Sequence, residues 1–226
     1  YSTNNLDTKV IQNAPTKKVN KYLSVKVLKA HQIEDLIYEV FTPDFRNYLT
    51  KITGFKFSID FYTAYDREHI PSNEPQLVDY KEKKFAKLGH FYSYSWHYDK
   101  PNSSNMLKII LPINITDSHG PLQVIGRNSS KNQNILGKIY ETNDTGRFIG
   151  NSDKLYAFHP TVCIHRDGIP ERNKVATQVM FQLNPWSDWS INTKIYDRTP
   201  KLNSTVKIWT QEPKFPWLAY WGDERK

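Results

Sequence analysis

The chain has 226 residues, with 31 Lys and Arg against 23 Asp and Glu, a formal net charge of +8. That length fits one ordinary-to-large domain or two small ones, and the 14% aromatic content argues for a packed chain despite a mean hydropathy of −0.67. A single cysteine, Cys163, excludes an internal disulfide framework and a cysteine-based zinc site, and no apolar run approaches the ~18 residues of a bilayer span.

In chain order, residues 1–20 read as a polar lead-in with no apolar run of the signal-peptide kind. The default setting is therefore reduced, soluble and cytoplasmic. From 24 to about 54 the text turns helical. Val27, Leu28, Ile33, Leu36, Ile37, Val40 and Phe41 fall at steps of three and four, one apolar stripe. Pro43 interrupts it, and residues 44–49 restart a short helix that stops at Gly54. The period then switches to two. Phe55, Phe57, Ile59 and Phe61 alternate with Lys56, Ser58, Asp60 and Tyr62, as in a half-buried strand.

Residues 70–75, with two prolines, form a loop. Strands are expected over 91–96, 106–113, 121–125, 155–158, 161–165 and 175–183, separated by turns at 100–105 and 126–130. No second long helical run is visible among them. Helices followed by about eight short strands predict a mainly β, α+β fold: an antiparallel sandwich or barrel over 55–185, helices on one side, residues 1–226 forming one domain. The aromatic tail, Lys214 to Trp221, is expected to pack back on it.

Chemistry is expected at the histidines. In Trp96-His97-Tyr98-Asp99, residues i and i+2 of an extended segment point to one face, so His97 and Asp99 offer an imidazole and a carboxylate to one metal. A downstream histidine would complete a 2-His-1-carboxylate face, which leaves three positions open on Fe(II). His165-Arg166-Asp167 also fits H-x-D, but no histidine follows it, so only His97/Asp99 can have a distal partner. His119, His159 and His165 are the candidates. His119 lies in a turn and His159 precedes Pro160; His165, closing a strand, is preferred.

A dicarboxylate cosubstrate chelating the iron at one end needs a cation for its far carboxylate. Lys174, at the mouth of the last strand, is the first choice, with Arg172 in reserve and Lys108 on an inner strand. Arg172, Lys174, Ala176 and Gln178 share parity. Gln178, Gln123 and Tyr94 are candidates for substrate contact, and Cys163 is read as a small buried residue.

Taken together, the segments from Tyr94 to Asp99, from Leu107 to Ile125 and from Cys163 to Pro170 resemble the phytanoyl-CoA dioxygenase-like family, over roughly residues 90–185. The resemblance implies a double-stranded β-helix (jelly roll, cupin-like), Fe(II) held by His97, Asp99 and His165, and 2-oxoglutarate and O2 as cosubstrates. It further implies hydroxylation of a small or medium-sized metabolite, with decarboxylation of 2-oxoglutarate to succinate. Two departures stand out. Gly126-Arg-Asn-Ser-Ser130 replaces the family's Pro-Gly-Ser-His text, and the arginine expected about eleven residues past the distal histidine is absent. Related halogenases lack the carboxylate that Asp99 supplies here.

Two other functions compete. A non-catalytic jelly-roll binding module would leave the histidines incidental and take up no metal. A nucleic-acid-directed oxygenase would use the +8 charge and show steep salt dependence, but no nucleic-acid-binding motif accompanies it, so this ranks last. The surplus charge is otherwise read as composition. No residue pattern specifies an oligomeric state.

Overall fold

The computed structural model describes residues 1–2, 6–74, 92–99, 105–136 and 139–192. The aromatic segment 214–221 and most of the turn at 100–105 lie outside them. A short helix α1 (Lys9–Gln12) and strands β1 (Thr16–Lys18) and β2 (Leu23–Lys26) precede two eleven-residue helices, α2 (Ala30–Val40) and α3 (Pro43–Thr53). Then follow β3 (Lys56–Glu68), β4 (Leu107–Ile113), β5 (Gln123–Ile125), α4 (Arg127–Leu136), β6 (Thr145–Arg147), β7 (Tyr156–Phe158), β8 (His165–Arg166), β9 (Val175–Trp186) and β10 (Ser190–Ile191).

The α3 boundaries have local causes. The Thr42 hydroxyl accepts from the Phe45 amide at 3.3 Å, Pro43 opens the helix without needing a donor, and Gly54 closes it at φ 77°. The helical stripe starts later than the sequence suggests. Residues 23–26 are extended, because Val25 and its neighbours pair with β1 and β3, and Lys26 reaches Asp66 at 3.1 Å. Leu28 still enters the helical core from the connecting segment.

The strands form a seven-stranded sheet, β1-β2-β3-β9-β4-β7 with β10 pairing parallel to β3, and a three-stranded sheet, β6-β5-β8. One core lies between the large sheet and α2/α3, joining Ile33, Leu36, Ile37 and Phe45 to Phe57, Ile109, Val179 and Phe181. A second lies between the two sheets, where Phe61, Ile110 and Met180 meet Leu122, Val124, Phe148 and Cys163. Two facing, mainly antiparallel sheets with α2 and α3 on the outer face of the larger one are the jelly-roll arrangement that the strand pattern predicts.

Several local expectations are corrected. The sequence puts Phe57, Ile59 and Phe61 on one face, but the β3–β9 register shifts between Ile59 and Phe61. The extra residue, Asp60, is buried and accepts from Ser58, Asn184 and Asn192. Such a bulge reverses the parity beyond it. Phe57 and Ile59 thus face the helices, whereas Phe61 and Tyr65 face the space between the sheets.

Residues 92–94 form a 3-10 turn rather than a strand. Of the strand expected over 161–165, only His165 is in one, because residues 159–163 curl so that the Val162 and Cys163 amides both donate to the His159 carbonyl. The turn expected at 126–130 is the start of the ten-residue helix α4. Its buried face is polar, Ser130 and Gln133, so no apolar stripe announces it. Ser130 donates to the Ile125 carbonyl and accepts from the Ile164 amide, tying the helix to the strands below.

Candidate metal centre

His97 and His165 are brought together by backbone pairing. Their amides and carbonyls exchange two hydrogen bonds of 3.0 Å, and the Asp99 amide donates to the Pro160 carbonyl at 2.9 Å. The segment after Tyr94 thus runs antiparallel to the segment entering β8. His97 and Asp99 fall on the same side of it, beside His165. Ligand-type atoms of the three residues lie within 4.8 Å of one another, and they are the group with metal-ligand geometry among the described residues.

Each imidazole is oriented by its second nitrogen. His97 Nδ1 lies 2.7 Å from the Ser95 carbonyl, and His165 Nδ1 lies 3.0 Å from the Cys163 carbonyl. A carbonyl only accepts, so both Nδ1 atoms carry the proton. In the neutral ring Nε2 then presents a lone pair. Both Nε2 atoms point at Asp99 Oδ1 from 3.5 Å. Burial pushes the His165 pKa below its ordinary value, which keeps that ring neutral. Burial acts to raise the Asp99 pKa, but the Lys108 ammonium beside it outweighs burial and holds the carboxyl well below the usual carboxylate range. Lys108 Nζ contacts the other Asp99 oxygen, Oδ2.

Three electron-pair donors therefore converge, two of them imidazole nitrogens with fixed tautomers. Such a set suits a divalent cation, and the outer carbonyls are the usual second layer of a histidine metal site. Beside it lies a cavity of about 50 Å3, lined by Tyr65, Lys108, Phe158 and Asp167 together with His97 and His165.

The other expected site residues are dispersed. Arg172 and Lys174 are exposed on the turn before β9, with the Lys174 amide donating to the Glu171 carbonyl; the structure does not bring them to the cavity. The reason is length: β9 begins at Val175 and the chain before it turns outward, so shared parity with Ala176 and Gln178 does not extend to them. Lys108 lines the cavity. Gln178 is buried but is held between Arg67 and Tyr65. Gln123 pairs with Arg166 at 2.6 Å on the half-buried side of β5, and Arg166 stacks over Trp96 at 4.2 Å. Tyr94 packs beside Tyr22, Ile70 and Ile169. His159 is engaged by the Met106 carbonyl at 3.1 Å, and His119 sits in a 3-10 turn; neither joins the cluster.

Sequence reasoning missed Arg67 and Tyr65 as site residues and set Asp167 aside. Arg67 is 1% exposed, and its Nη1 lies 3.6 Å from Asp167 Oδ1. The signal for Asp167 was the second H-x-D; Arg67 had none, because its inward direction depends on the bulge at Asp60.

No protein-family model and no curated protein matches this sequence. Solved structures similar to it include the non-heme alpha ketoglutarate dependent epimerase SnoN from nogalamycin biosynthesis. That likeness has 10% identity and a TM-score of 0.52, over 81% of this chain and 76% of that one. SnoN in complex with Fe3+, alpha ketoglutarate and nogalamycin RO gives 11% identity and a TM-score of 0.47, over 89% and 85%. EvdMO1 gives 10% and 0.42, over 76% and 38%. At such identities the first likeness is one of fold: a jelly roll shared with that epimerase. Among the described residues, no helix is long and apolar enough to cross a membrane.

Proposed function

We propose that this chain is an Fe(II)- and 2-oxoglutarate-dependent oxygenase, of the phytanoyl-CoA dioxygenase-like kind, that oxidises a small or medium-sized metabolite. The observation carrying this reading is the convergence of His97 Nε2, His165 Nε2 and Asp99 Oδ1, with both Nδ1 protons committed to backbone carbonyls. A histidine pair and one carboxylate would hold Fe(II) on one face and leave the opposite positions for a chelating cosubstrate. The fold shared with SnoN, a non-heme alpha ketoglutarate dependent epimerase, supports the same cofactor set.

O2 would be the oxidant, activated at the bound iron, with 2-oxoglutarate taking one oxygen atom and ending as succinate and CO2 while the other oxygen atom goes to the substrate. The chain's own residues do the rest. His97 and His165 bind through Nε2, and the Ser95 and Cys163 carbonyls fix their tautomers. Lys108 holds Asp99 ionised. Phe158 lies edge-on to the His165 ring at 5.0 Å, and Leu122, Ile110 and Met180 line the cavity with apolar surface that limits water. Retention of Asp99 favours hydroxylation over halogenation as the outcome. We further propose that residues 1–226 act as one domain in a reduced, cytoplasmic setting.

The test is an anaerobic titration of the Fe(II)-loaded protein with 2-oxoglutarate, reading the visible charge-transfer absorbance of the chelate. The expected result is a saturable band in wild type and its loss in His97→Ala and Asp99→Ala. Metal-loaded wild type without the band would refute the cosubstrate. Failure to take up Fe(II) at all would favour the binding-module reading.

A further inference from the structure

Next to the three converging ligands stands an ion pair that their chemistry does not use. Among the described residues, Arg67 is one of the largest fully buried side chains. Its Nη1 donates to the Gly168 carbonyl at 2.5 Å and its Nη2 to Gln178 Oε1 at 3.2 Å. Its ionic partner is Asp167, at 3.6 Å, longer than a charge-assisted hydrogen bond and with a single contact where a guanidinium and a carboxylate can make two. Arg67 Nε and Asp167 Oδ1 both remain buried without a hydrogen-bond partner. A buried cation is seldom left so incompletely matched.

Asp167 is on the wall of the cavity that His97, Lys108 and His165 also line, while Arg67 stands behind it, off the wall. Two backbone approaches fix this arrangement. Gly120 and Gly168 pack so closely that a Cβ on Gly168 would meet the Gly120 carbonyl carbon at 2.7 Å. The Asp167 amide donates to the Ser93 carbonyl at 2.6 Å. The backbone at 167–168 is thus held, whereas the Asp167 carboxylate is held loosely. The cavity is small, about 50 Å3, and Asp167 narrows it, so moving the Asp167 side chain both opens space and uncovers a cation.

We propose that Arg67 is the seat for the far carboxylate of 2-oxoglutarate, and that Asp167 is an internal carboxylate occupying that seat, which the cosubstrate displaces. This rests on the oxygenase reading above. Asp167 neutralises Arg67 and repels an incoming dianion, so it weakens cosubstrate binding and sets the concentration at which the enzyme saturates. An α-keto monoacid has no far carboxylate and is indifferent to the seat.

The experiment compares wild type, Asp167→Asn, Asp167→Ser and the double variant Asp167→Asn/Arg67→Met. Each is loaded anaerobically with Fe(II) and titrated with 2-oxoglutarate and, separately, with 2-oxobutyrate, reading half-saturation of the charge-transfer band. Thermal melts verify folding, and the serine variant covers the case in which asparagine does not fold. The expected result is about tenfold tighter 2-oxoglutarate binding in the single variants. Their 2-oxobutyrate affinity stays unchanged, and the gain is lost in the double variant. Unchanged or weaker 2-oxoglutarate binding in folded Asp167 variants overturns the proposal while leaving the oxygenase reading intact. A gain that persists in the double variant, or that extends equally to 2-oxobutyrate, overturns it as well. Absence of the band from every metal-loaded protein overturns the oxygenase reading and this proposal with it.

Discussion

The two faces of the large sheet are built from the same strands and carry opposite chemistry. Toward α2 and α3, strands β3, β4 and β9 present Phe57, Ile59, Ile109, Leu111, Val179, Phe181 and Leu183, which close a continuous apolar core. Toward the small sheet, the alternate positions present Tyr65, Arg67, Lys108, Gln178 and Gln182 among a few apolar residues, all buried or nearly so. Apolar burial on the first face contributes roughly 25 cal/mol per Å2 without directional demands. Buried polar groups on the second face each need a partner and contribute little net stability. The apolar core and the candidate site therefore lie on opposite faces of one sheet, and substitutions should separate their effects.

The sharpest separation is expected at the centre itself. His165→Ala should lower Fe(II) affinity at least about 100-fold, since a three-ligand face loses one ligand, and equilibrium dialysis against Fe(II) measures it. His159→Ala should bind iron as wild type does; the opposite pattern would move the distal ligand to His159. On the other face, Phe181→Ala should cost about 3–5 kcal/mol in urea unfolding through the cavity it leaves. Its effect on Fe(II) affinity, measured at temperatures where the variant is folded, should be small. If that variant loses iron as severely as His165→Ala, the two faces are not separable.

Acid should expose the difference without mutation. Burial holds the His165 and His159 pKa values below the ordinary 6.5. As the pH of chelator-treated protein falls through 6.5, the unfolded chain binds protons that the folded chain does not. Stability then drops by up to about 1.4 kcal/mol per pH unit for each histidine, until the lowered folded values are reached. The contribution of Asp99 is present above the ordinary 3.8 and is lost as the pH falls through its depressed folded value. Urea midpoints from pH 7.5 to 5 should show this slope, reduced in His165→Asn. The smallest effects belong to the surface. Lys174→Ala and Arg172→Ala should change the 2-oxoglutarate requirement by less than about twofold, because both side chains are exposed on a turn away from the cavity. A larger effect of either would restore the sequence-based assignment of the anchor.

Much of this was legible in the residues. The i, i+3, i+4 spacing of Ile33, Leu36, Ile37 and Val40 marks α2, and Pro43 and Gly54 bracket α3. The run from Leu107 to Ile113 reads as a strand buried on both faces, and every residue in it is buried. His97 and Asp99 were legible because an extended dipeptide step needs only local geometry. Helix α4 was not, because polar contacts through Ser130 and Gln133 hold it and periodicity registers only apolar faces.

By itself the sequence determined what depends on neighbours along the chain: helix ends, strand alternation, a lone buried cysteine and an H-x-D pair ordered before a distal histidine. Only the tertiary structure decided what depends on register. Pairing of the His97 and His165 backbones brings one of the three downstream histidines beside Asp99. One extra residue in β3, Asp60, reversed the facing of everything after it, so that Arg67 points into the barrel behind Asp167. A strand's side-chain period is two, and a single-residue slip exchanges its faces. No local pattern encodes that slip, because it is set by the hydrogen bonds of Asp60 to Ser58, Asn184 and Asn192, two of them more than a hundred residues away.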